Sequence, residues 1–178
     1  MERKPSGIAV GVAAVGLAAA LAGCSGGGRE YALPGKVCDV PVKKGTLSPL
    51  LPDGEKLREV PGGLPGSRSG CALVVDRARI LTVSVSSVDK LYDPMAGLES
   101  YKFSHRKRIP KLPFAGKGAV GDTNAMISTE CGSPEAEFLI VDFIIRNEHV
   151  SVKQRRKDLQ HFAEAYVPDV RRTLKCRT

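Results

Sequence analysis

The sequence contains no tryptophan, and only 5% of its 178 residues are aromatic. That leaves little material for base-stacking platforms or aromatic cages. Histidine is equally scarce: His105, His149 and His161 are the only three. No nucleophile has a readable base beside it. No pair of carboxylates has a spacing that reads as general acid and base. No two cysteines have the Cys-x-x-Cys spacing of a zinc or thiol-redox site. A metal bound by His149 and His161 would need further ligands and close approach across a helix segment. These absences lead us to expect no enzyme activity, no metal and no cofactor.

Long apolar runs are also missing, with one exception. From Gly7 to Ala22 the chain is wholly small or apolar, preceded by Arg3 and Lys4. This run is shorter than the roughly 20 residues a spanning helix needs, and its layout is that of a secretory leader. It ends in Leu21-Ala22-Gly23-Cys24. That ending resembles the bacterial lipobox, in which the Cys thiol takes a diacylglyceryl group and the leader is cut just before it. The resemblance implies residues 1–23 as leader and Cys24 as the lipidation site. Two acyl chains suffice for stable anchoring where one is marginal. Cleavage removes Glu2, Arg3 and Lys4, taking one unit off the net charge of +8.

Ser25-Gly26-Gly27-Gly28 follows, so residues 24–36 read as a lipidated Gly-rich tether, with one domain from Val37 to Thr178. Export would place Cys38, Cys71, Cys131 and Cys176 where disulfides persist. Four cysteines allow three connectivities. The preferred one is Cys38–Cys71 with Cys131–Cys176, because each then joins the end of one expected element to the end of a later one.

Thr46–Leu51 reads as a short helix with Pro49 at its first position. Cys71–Val75 and Arg79–Ser87 read as a hairpin, the second strand having one buried and one wet face. Residues 88–118 read as irregular. Asn124–Cys131 is a further strand. Glu137–Arg146 is the strongest: Leu139, Val141, Phe143 and Ile145 share one face, while Asp142 interrupts Phe138, Ile140 and Ile144 on the other. It should lie centrally. Leu159, Phe162, Ala163, Tyr166, Val167, Val170 and Leu174 make one helical stripe after a Ser151/Gln154 capping pattern. Pro168 should kink that helix. The expected fold is α+β: an antiparallel sheet covered on one face by a C-terminal helix, a two-layer sandwich.

The ordered features are the lipobox, the Gly tether, a Cys before a short helix ending in Leu51-Pro52-Asp53-Gly54, a Cys opening a Val-rich hairpin, and the closing helix through Tyr166-Val167-Pro168 to Cys176. Together they resemble small cell-envelope lipoproteins of actinobacteria, of streptomycete-like type. The resemblance implies an address on the outer face of the cell membrane and an architecture, not an activity.

Two basic clusters stand out. Lys102, His105, Arg106, Lys107, Arg108 and Lys111 form one; Lys153, Arg155, Arg156 and Lys157 form another where cations oppose the helix dipole. In an exported protein the polyanions at hand are lipid headgroups and anionic wall polymers, not nucleic acid. Lys102, Arg106, Lys107, Arg108 and Lys111 are therefore the expected anionic-surface contacts of a noncatalytic binding module. The alternative is a carrier holding a small apolar ligand or lipid between sheet and helix, with Asp142 as polar handle. Otherwise Asp142 faces solvent or pairs with Arg77 or Arg79. Gly116-Lys117-Gly118-Ala119-Val120-Gly121 fits Gly-x-Gly-x-x-Gly by count. It lacks the strand before and helix after that the dinucleotide fingerprint requires, and reads as a flexible loop.

Overall fold

The computed structural model describes residues 28–63 and 69–177. The expected leader, Cys24, residues 64–68 and Thr178 lie outside them. Among the described residues no helix is long and apolar enough to cross a membrane.

The domain starts earlier than Val37. Arg29 donates from its guanidinium to Ser48 Oγ at 2.7 Å and to the carbonyls of Ser48 and Leu51. Glu30 N reaches the Gly54 carbonyl, and the Tyr31 hydroxyl reaches that of Pro52. Residues 29–36, expected to be tether, are thus fastened to the domain. A small hairpin follows, β1 (Lys36–Val37) and β2 (Val40–Pro41), turning through Cys38 and Asp39 with φ +49° and +63°. Then comes a single helical turn, α1 (Lys44–Leu47), continued as a 3₁₀ turn over Ser48–Leu50 with Pro49 near its start.

The main sheet is built from β3 (Leu57–Pro61), β4 (Ser69–Val75), β5 (Ala78–Val88), β6 (Lys107–Ile109), β7 (Gly116–Val120), β8 (Asn124–Ser133) and β9 (Ala136–Ile145). All pairings are antiparallel, in the order β3-β4-β5-β9-β8-β7-β6. The most apolar strand therefore takes the central place its pattern demands. The flexible loop expected at residues 116–121 is instead mostly strand β7. Its glycines answer crowding: a Cβ on Gly116 would stand 2.7 Å from the Ser128 carbonyl oxygen.

The last helix, α2 (Val152–Thr173), begins at Ser151, whose hydroxyl accepts from Gln154 N at 3.3 Å. Only half of a capping box forms, since the Gln154 side chain donates onward to Asp158. Leu159, Phe162, Ala163, Tyr166, Val167 and Val170 pack onto Val141, Phe143, Ile145 and their sheet neighbours, all essentially closed to solvent. Phe162 and Tyr166 stack with centroids 5.2 Å apart, and Phe143 meets both edge-to-face at 5.7 and 5.8 Å. The space between sheet and helix is filled, so the carrier reading is corrected on location: three rings occupy the place assigned to a ligand.

The opposite face is not simply wet. Thr82, Ser84 and Ser128 are buried there. Residues 89–106 cross it as a strap, including a 3₁₀ segment over Gly97–Lys102. Tyr92 N donates to Ser128 Oγ at 3.1 Å, and Asn124 Nδ2 donates to the Lys102 carbonyl. Cys38 pairs with Cys71 and Cys131 with Cys176, at Cα separations of 5.3 and 4.3 Å.

Candidate functional site

The tight turn after β7 organises a groove between β6 and the start of α2. Gly121 N donates to the Asn124 carbonyl, Asp122 N to that of Ser104, and Ile145 N to that of Thr123. Strap, turn and central strand meet at this point. Arg155, buried, locks the helix onto it: Nε donates to the Asp122 carbonyl at 2.8 Å and a terminal nitrogen to the Asn147 carbonyl at 2.7 Å. The charge of Arg155 is thus spent on backbone oxygens.

The Asp122 carboxylate holds two groove residues at once. Oδ2 lies 2.7 Å from His105 Nδ1, and Oδ1 pairs with Arg156. Arg156 also donates to the His105 carbonyl at 2.9 Å. These contacts fix His105 in the left-handed region, φ +50°, where a residue with a Cβ needs such support. The bond from His105, then those from Arg156, outweigh burial and hold the Asp122 carboxyl below its ordinary range. With Nδ1 engaged, the exposed His105 ring presents its Nε2 edge outward.

The groove encloses about 930 Å³ and is lined by Lys107 and Arg108 from β6, by Lys153, Arg156 and Lys157 from α2, and by His105 and His161. The acids in its lining, against these five permanent cations, are Asp122 and Glu164, and Glu164 accepts from Gln160 at 2.8 Å. The first turn of α2 carries no acid, so the helix dipole adds to the positive field. Lys107 and Arg108 of the first basic cluster and Lys153, Arg156 and Lys157 of the second, far apart in sequence, line one groove. Charge clustering marks both halves in the sequence; their convergence depends on the β7–β8 turn, which no local pattern announces.

The expected contact residues divide. Lys107 and Arg108 reach the groove, although Arg108 also stands 3.5 Å from Asp93. Lys111 is exposed outside its lining. Arg106 turns back to the carbonyls of Pro94 and Ala96 at 2.6 and 2.8 Å and pins the strap. Lys102 belongs to the strap and turns its ammonium inward, 2.9 Å from Glu99 and 3.9 Å from Asp142. Burial works against its ammonium, but the Glu99 bond and the two carboxylate charges keep its pKa above the ordinary lysine value. Asp142 meets neither Arg77 nor Arg79, and 13% of its side chain stays exposed. It lines a second cavity, on the face away from α2. Comparison of the chain with known families, characterised proteins and solved structures finds no match.

Proposed function

We propose that this chain is a lipid-anchored extracytoplasmic binding module, noncatalytic, whose groove between β6 and α2 holds a phosphate-bearing polyanion of the envelope. One observation supports the reading above others: two basic segments converge on one concave surface, at the start of a helix with no acid in its first turn. Placing Lys153, Arg156 and Lys157 together at that end opposes the helix dipole, an arrangement that bound anion relieves. The lipobox ending at Cys24 and the two disulfides support the address.

The mass of the mature N-terminal peptide tests the anchor: a diacylated Cys24 is expected, and a chain keeping residues 1–23 with a free thiol refutes it. For the groove, the full chain is titrated with a soluble polyphosphodiester and, separately, with anionic and zwitterionic vesicles. Binding to a phosphate partner should weaken steeply with salt, and K153A/K157A should lower affinity about tenfold at low salt. Preference for polymer or vesicle identifies which source of phosphate it meets. Salt-insensitive binding, equal for charged and neutral partners, refutes the groove.

A further inference from the structure

The cavity beneath the strap has a chemistry opposite to that of the groove. It encloses about 560 Å³, within the usual range for small-molecule sites. Val88, Ile140 and Ile144 give it apolar walls, and Tyr92 and Tyr101 add aromatic ones. Its charged groups do not balance. Lys102 is committed to Glu99 at 2.9 Å, and stands 3.9 Å from Asp142, the outer limit of an ion pair. No hydrogen bond to the Asp142 carboxylate is found among the described residues. A carboxylate with only 13% of its side chain exposed normally has close donors or a close cation. One negative charge in this cavity is therefore uncompensated.

The mouth has its own character. Tyr101, which lines the cavity, is 81% exposed, and Leu98, outside the lining and one 3₁₀ turn earlier, is 85% exposed. In a 3₁₀ segment residues three apart eclipse, so both project on one side. Aromatic faces also attract organic cations.

We propose that this cavity binds a small organic ammonium with an apolar body, its head group on Asp142 and its tail leaving past Tyr101 and Leu98. An anion is disfavoured because the resident cation is already taken by Glu99. A metal ion is disfavoured because two carboxylates and a lysine make a poor donor set. The assignment is independent of the groove, which shares no residue with the cavity.

The titratable groups facing Asp142 are Glu99, Lys102, Tyr92 and Tyr101, all from the strap; β5, β8 and the adjoining turn contribute Ser86, Thr123 and Asn124. Ammonium binding requires the Asp142 carboxylate, so it displaces any proton held there, and affinity should rise with pH. The test uses the full chain with butylammonium, butyrate and butanol as matched probes. With only four tyrosines, ring signals of Tyr92 and Tyr101 are readable by NMR. Butylammonium should shift them, should bind about tenfold more tightly at pH 7.5 than at pH 5, and should lose about tenfold in D142N. K153A/K157A should bind it like the wild type. Equal response to the three probes, no response to butylammonium, or unchanged binding in D142N overturns the proposal; the first two need no variant to fold.

Discussion

At the scale of single residues, two aspartates act on stability with opposite sign. Burial, with Glu99 adding to it against the pull of Lys102, pushes the Asp142 carboxyl from 3.8 up to about 6. The folded chain then holds this proton more tightly than the unfolded one, so stability is lost as pH rises between those values. D142N should be more stable than the wild type at pH 7.5, by at most about 3 kcal/mol, with the gap closing below about pH 4. Denaturant melts across that range measure it; a constant gap would mean that Asp142 is not ionising in a buried place. Asp122 runs the other way. Its carboxyl is held low, so its contribution is present at neutral pH and fades as pH falls through the lowered value. D122N should flatten the acid limb of the melting-temperature profile. An acid limb identical to that of the wild type would show that the contacts to His105 and Arg156 add nothing.

Elements show what local pattern reveals and what it hides. β9 and α2 are legible because the apolar residues on their core faces keep periods of two and 3.6. β3 and β6 are not: short edge strands such as Leu57–Pro61 and Lys107–Ile109 carry charges and Pro, as exposed edges do. β7 is hidden by its glycines, which argue against a strand until the crowding around them is seen. G116A should cost about 1–3 kcal/mol, since its Cβ would meet backbone. G118A should cost less, because it meets only the Ile109 side chain, nearest atom 3.0 Å away. Equal melts for the two variants would contradict that crowding account. S151A should cost about 1 kcal/mol through loss of the cap on Gln154 N. The groove shows the same division: its cations are visible as clusters, but the turn at Asp122 that unites them depends on long-range packing. Asp142 is legible as an anomaly, an acid in an apolar strand, while its surroundings belong to a strap that reads as formless.

For the whole molecule, the two disulfides span 33 and 45 residues and join the ends of the chain to opposite halves of the sheet. In the chain-entropy model each contributes about 4 kcal/mol. Reduction should therefore lower the denaturation midpoint sharply, and C131A/C176A should reproduce about half of the effect. A reduced chain that melts like the oxidised one would assign the stability to the core alone.

The fastening of Arg29 also sets a height. With lipid on Cys24, only the five steps from Cys24 to Arg29 separate membrane from domain, a span of at most about 18 Å at full stretch. A leash running to Lys36 would let the domain roam more than twice as far. So short a mooring would keep it close above the bilayer, within reach of the lipid charge layer, and would restrict its search to two dimensions. Any polymer that a domain so moored captured would have to hang inward to meet it, because it would have no slack with which to go out and fetch one.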